Sequence, residues 1–152
     1  AHLSLSEQIK AHSCDRVYQA VVYGRMKEPE GRVDAPIGRN PLERKEMCVT
    51  AKNSKEAVTN YRVLQEYEGF SHLELRLETG RTHQIRVHMA YLGHPVAGDP
   101  VYGPKKVIKS LEGQCLHAKS IAFDHPVTGE RMRFDSELPA YFTDFLRTLR
   151  PL

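Results

Sequence analysis

The sequence has no apolar run long enough to cross a bilayer, no cysteine framework and no strong charge of either sign. Its longest apolar stretches, such as residues 20–23 (AVVY), fall far short of the roughly 20 residues a membrane helix needs. No secretory leader is expected, because residues 2–10 carry Glu7, Gln8 and Lys10 and lack an apolar core. The three cysteines, Cys14, Cys48 and Cys115, are odd in number and widely spaced. That argues against a disulfide framework or a zinc cluster and makes a reducing cytoplasm the simplest setting. A net charge of +3 is compatible with RNA and equally compatible with no charged partner at all. Internal repeats and low-complexity segments are also missing.

What is present suits one α+β domain. The 152 residues are enough to bury a core, with 40% hydrophobic and 27% charged residues. Residues 2–11 place Leu3, Leu5 and Ile9 at near-helical spacing and read as the end of a helix. With Ala1 in first place instead of Met, a piece of something longer is expected. Residues 16–23 (RVYQAVVY) form a predicted strand, with Val17, Gln19 and Val21 opposed to Tyr18, Ala20 and Val22, ended by Gly24. Short strands are predicted at 32–35 and 47–51, separated by a Pro/Gly-punctuated loop over 36–44 that carries Arg39 and Arg44. Longer strands follow at 57–67 and 72–78 around a Glu68-Gly69 turn. The second sets Leu73, Leu75 and Leu77 against Glu74, Arg76 and Glu78. A helix is expected from His83 to Leu92, capped by Thr82 and closed by Gly93, then a Gly/Pro-rich loop over 93–104. A hairpin of 116–124 and 131–135 and an amphipathic helix over 140–149 complete the chain. Strands close in sequence with helices inserted between them imply an α+β fold on a mixed, mostly antiparallel sheet.

The segment 77–88 (LETGRTHQIRVH) is the most informative. It puts two arginines, two histidines, a glutamine and a threonine at a strand-to-helix junction. On a helix Ile85, Met89 and Leu92 share an inward face, while His83 and Arg86 point together off another side. One reading is a preformed anion-accepting corner, able to hold a phosphate or orient a carboxylate in a bidentate pair. The other is a helix start with solvated charges. A metal site is not expected: His83 and His88, five residues apart, point to different sides, and no further ligand sits at a suitable spacing.

Segment 77–88, followed by 94–103 (HPVAGDPVYG), closely resembles the signature of the RluA-type RNA pseudouridine synthases. The resemblance extends over the chain through Tyr18-Gln19-Ala20 with Gly24, the Pro36, Arg39 and Arg44 loop, and Leu116-His117-Ala118 leading to His125-Pro126 and Thr128-Gly129. It implies isomerisation of uridine to pseudouridine in RNA without cofactor or metal. In that chemistry an aspartate attacks the nucleoside, the glycosidic bond breaks, the uracil turns and its C5 joins the ribose. The target uridine has to leave its stack to reach such a pocket.

The same resemblance distributes roles. Arg86 matches the active-site basic residue that pairs with the catalytic aspartate and keeps it ionised. Tyr18 matches the tyrosine that stacks on the target base, and as a strand aromatic it also suits a core position. Leu116 matches an apolar residue packed against the site, for which plain core packing is the alternative. Arg39, Arg44 and Lys45 on their loop, with Arg81, His83 and His88, are expected to position RNA, or else to be structural or solvated. Large-subunit ribosomal RNA is the favoured substrate and transfer RNA a possible one, with no membrane partner. The resemblance fails at one place. The family's nucleophile lies in a His-Arg-Leu-Asp block upstream of the tyrosine strand, and no such block occurs here. Asp99 belongs to a loop the family has in addition to its nucleophile. The expectation is therefore that residues 1–152 are the C-terminal portion of one catalytic domain, inactive alone; its oligomeric state is open, and central strands supplied by the absent segment would leave exposed sheet that invites dimerisation. The alternative is a module on the same fold that binds RNA without catalysis.

Overall fold

The computed structural model describes residues 15–43, 45–104, 108, 111 and 113–152. The helix expected over 2–11, Cys14 and Arg44 lie outside the described residues. Among the described residues nine strands and two helices follow in order: β1 (Asp15–Tyr23), β2 (Glu30–Asp34), β3 (Ile37–Arg39), β4 (Met47–Val49), β5 (Ser54–Lys55), β6 (Val58–Tyr67), β7 (Phe70–Leu77), α1 (Gln84–Tyr91), β8 (Leu116–Asp124), β9 (Arg131–Asp135) and α2 (Ala140–Thr148). The main sheet runs β2-β6-β7-β1-β8-β9 and a small one runs β4-β3-β5. The α+β fold is as expected, and among the described residues every strand pairing is antiparallel.

Side-chain alternation assigns the two faces of the main sheet. Ala20 and Val22 of β1 join Leu73 and Leu75 of β7 against Ile85 and Met89 of α1, with Tyr18, Leu77 and Leu116 packed at the margin. Val21, from the opposite set of β1, meets Phe142 and Phe145 of α2 beside Ala97 and Cys115. On that second face His72 hydrogen-bonds Gln19 through Nε2 at 2.8 Å and leans its ring on Phe142. Burial pushes the His72 pKa down to about 4.

Two departures from the sequence reading lie in one region. The loop over 36–44 contains β3, and the two-residue β5 was not anticipated. A three-residue strand has too little sequence for an alternation to show. Here it is stabilised by pairing on both sides and by burying Ile37 beside Ala57 and Val87. This small sheet therefore docks on α1 through Val87, flanking the same helix that carries Arg86.

The expected Thr82 cap is also corrected. His83 holds the cap position in the left-handed region, with φ 55°, and makes no side-chain capping bond. In place of a cap, Gln84 turns back so that its Oε1 accepts the Arg81 amide at 3.0 Å. Helix α1 is buried on nearly all sides, from Gln84 through Met89, so its polar residues have to find partners inside the protein.

Candidate active site

Three elements supply the site. The central strand β1 carries Tyr18 on the α1 face, opposite Leu75 on one side and Ala118 on the other. The register against β8 shifts between Val17 and Tyr18, at the position of the tyrosine. Leu116 opens β8 opposite Ala20, and α1 carries Arg86. Tyr18, Arg86 and Leu116 together line a cleft of about 340 Å³, with Leu77, Arg81, His83, Gln84, Ile85 and Gln114. The three residues singled out for chemistry are thus brought to one place from positions far apart in the chain.

Arg86 is buried, and the carboxylate it meets is Asp99. Its Nε donates to Oδ2 at 2.8 Å and its Nη2 to Oδ1 at 2.9 Å, a planar two-bond fork. Asp99 is 1% exposed and its Oδ1 also accepts the amides of Val101 (2.9 Å) and Tyr102 (3.1 Å). Burial opposes the Asp99 charge, but the bonds from Arg86 and the two amides outweigh it and hold the carboxyl below its ordinary range. The Arg86 guanidinium lies 5.1 Å from the centre of the Tyr102 ring. The bond to Asp99 raises the Arg86 pKa further, so the guanidinium stays charged.

The loop bearing Asp99 is fastened to the strand bearing Tyr18. Ala97 N–H donates to the Val21 carbonyl at 2.8 Å, Tyr23 N–H to that of Pro95 at 2.9 Å, and Cys115 N–H to that of Ala97 at 2.8 Å. Glycine is required at both ends of the turn. Gly98 has φ +77° and a Cβ there would sit 2.4 Å from the Gly113 carbonyl oxygen. A Cβ on Gly103 would sit 2.8 Å from that of Asp99.

The other expected residues separate into surface and interior. Arg39 and Lys45 are exposed, Arg39 on β3 and Lys45 just before β4. Arg81 donates through Nε to the Glu56 carbonyl and joins the main cleft to a second one of about 320 Å³ that Arg39 and Lys55 also line. Lys55, on the unanticipated β5, therefore extends the basic surface. His83 is within reach of the cleft, and its Nδ1 lies 2.8 Å from the Tyr102 hydroxyl, which accepts the Met47 amide at 2.9 Å. Burial and the neighbouring Arg86 charge lower the His83 pKa, so its neutral ring accepts the phenol proton. His88 requires a correction. It is 0% exposed and cannot meet RNA. Its Nε2 donates to the Ala35 carbonyl at 2.8 Å and its Nδ1 accepts the Thr59 hydroxyl at 2.7 Å, while burial lowers its pKa and keeps it neutral. Gln84 belongs to the same interior network, donating to the Val58 carbonyl and Thr59 Oγ1 and accepting from Thr79.

The residues missed in the sequence are Asp99 as the partner of Arg86, Tyr102 beneath it, and Gln84 as a clamp. A usable signal existed in the single carboxylate of Gly98-Asp99-Pro100-Val101-Tyr102-Gly103, a mostly apolar loop directly after the arginine helix. Among the described residues no group of three or more His, Cys, Asp or Glu side chains comes together as a metal site, and no helix is long and apolar enough to cross a membrane.

Residues 1–91 match the family model for RNA pseudouridylate synthase. The chain belongs to the RNA pseudouridine synthase family. It is of the RluA/RluD type, being 42% identical over 162 residues to the ribosomal large subunit pseudouridine synthase D of Pseudomonas aeruginosa, which covers 99% of this chain and 50% of that protein. It is 48% identical over 150 residues to the uncharacterized RNA pseudouridine synthase YlyB of Bacillus subtilis, covering 99% of this chain and 49% of that one. The chain spans about half the length of the curated relatives it matches. Among solved structures, human RNA pseudouridylate synthase domain containing 1 superposes with a TM-score of 0.81 at 29% identity, over 98% of this chain and 64% of that one.

Proposed function

We propose that this chain supplies the arginine, tyrosine and leucine part of an active site that isomerises uridine to pseudouridine in RNA, with large-subunit ribosomal RNA as substrate. The observation that carries the reading is the convergence of Tyr18, Arg86 and Leu116 on one cleft. Relatives named for the ribosomal large subunit favour that RNA over transfer RNA. In this reading a flipped uracil enters the cleft and stacks on Tyr18, Leu116 closes the apolar side, and Arg86 receives the attacking carboxylate. Arg39, Lys45, Lys55 and Arg81 meet phosphates beside the cleft and fix the register of the RNA. The setting is the cytoplasm.

The nucleophilic aspartate comes from outside these 152 residues. Asp99 does not serve, because both of its oxygens are held by Arg86 and it is buried. No aspartate is among the described residues that line the cleft. The test measures pseudouridine formed in ribosomal RNA by the full-length protein, by its Arg86→Ala variant and by residues 1–152 alone. Conversion by the first and not by the other two is expected. Conversion by residues 1–152 alone would overturn the assignment of the nucleophile. RNA binding by the full-length protein without any conversion would replace the enzyme by a binding module.

A further inference from the structure

We propose that Asp99 is a positioning residue for this reaction, anchoring Arg86 to the strand that carries Tyr18 so that base stacking and carboxylate binding share one frame. The inference rests on the pseudouridine synthase reading of the cleft and deepens it. A long arginine side chain on a helix has many rotamers, and a site needs its donors placed to within about half an ångström. Asp99 removes that freedom in three ways. The two-bond fork fixes the plane of the guanidinium. The Val101 and Tyr102 amides keep the carboxylate from turning, and the Tyr102 ring lies beside the guanidinium. The backbone bonds of Ala97 to Val21, and of Tyr23 to Pro95, tie the loop to β1.

The fork also determines which donors are left for chemistry. Nε and one hydrogen of Nη2 are spent on Asp99, and Nη1 has no hydrogen-bond partner among the described residues. An incoming carboxylate is therefore received by the Nη atoms of Arg86 and not side-on through Nε. The Tyr102 hydroxyl, held by Met47 N–H and His83, keeps the ring beside Arg86 in place from the opposite side. His83 makes this contact from a left-handed backbone conformation, φ 55°.

The test uses the full-length enzyme. In Asp99→Asn the side chain keeps its shape but loses its charge, and its amide hydrogens oppose one N–H of the fork. The expected result is a fall in kcat of about a hundredfold with KM for RNA nearly unchanged, since phosphate contacts are untouched. Wild-type kcat in this variant, or an equal loss in both parameters, would overturn the proposal. Because the variant leaves Arg86 buried without its counter-charge, a second measurement needs no variant: the Arg86 Nε proton in the wild-type protein, followed by nuclear magnetic resonance. Slow exchange with solvent supports the anchor, and exchange as fast as that of a surface arginine refutes it. Arg86→Ala separates the two levels. An active Arg86→Ala enzyme rejects the proposed function itself, whereas an inactive one beside a fully active Asp99→Asn rejects only the role of Asp99.

Discussion

Helix α1 and the β8–β9 hairpin both carry arginine–carboxylate pairs, and the pairs differ in what surrounds them. Arg86 and Asp99 are 10% and 0% exposed in their side chains, joined by two bonds and enclosed by backbone donors and an aromatic ring. Arg131 and Asp124 are 51% and 47% exposed, at 3.3 Å. Both are salt bridges by distance. In the interior pair each charge relies on the other, because water is not there to replace it. In the hairpin pair water and salt do most of what the partner does. The charge that the fold cannot spare is therefore the one beside the cleft, and site and core share the same residues.

The most severe way to break this contrast is Arg86→Ala. It leaves the Asp99 carboxylate buried without its cation, and a loss of about 3–5 kcal/mol in urea unfolding is expected, together with loss of the proposed pseudouridine formation. Acid comes next, acting on the far side of the sheet. His72 is folded as a neutral ring with its pKa lowered to about 4, against an ordinary 6.5. The unfolded chain therefore takes up this proton first as pH falls. The contribution of a neutral His72 is fully present above pH 6.5 and is lost progressively down to about pH 4, amounting to roughly 3 kcal/mol. Unfolding free energies measured across that window should fall in the wild type and fall less in His72→Gln.

Gln84→Ala removes the clamp that serves Thr79, Thr59, the Val58 carbonyl and the Arg81 amide. The orphaned interior groups should cost about 2 kcal/mol in thermal or urea unfolding. Removing surface charge ought to do little to the fold and something specific to binding. Lys55→Ala or Arg81→Ala should weaken RNA binding across sequences and lower the slope of log K against log salt by about 1 each. An unchanged slope for both would detach this surface from RNA. Arg131→Ala completes the comparison at the weak end, with a change within about 0.5 kcal/mol. A loss comparable to that of Arg86→Ala would erase the distinction between the two regions.

Local pattern was enough to read most of the elements. The alternation of Leu73, Leu75 and Leu77 marked β7, the opposed sets of β1 matched its two buried faces, and the β8–β9 hairpin fell where the turn residues put it. The elements that escaped, β3 and β5, are three and two residues long and owe their form to neighbours in space. His88 shows the same limit at a single residue. Its sequence left it between positioning RNA and a structural role, while Ala35 and Thr59, from distant segments, hold it inside.

The sequence by itself determined the strand faces and the two helices of the described residues, because periodicity is a property of neighbouring positions, and its resemblance to the family singled out the three residues that meet at the cleft. Only the tertiary structure decided what each polar side chain on α1 does. Arg86 meets Asp99 because backbone bonds to Val21 and Tyr23 fold the following loop back onto β1. His88 becomes an interior bridge because Ala35 and Thr59 arrive from two other segments. A buried charge or imidazole takes whatever partner the packing delivers, and that partner is set by long-range contacts that no local spacing records.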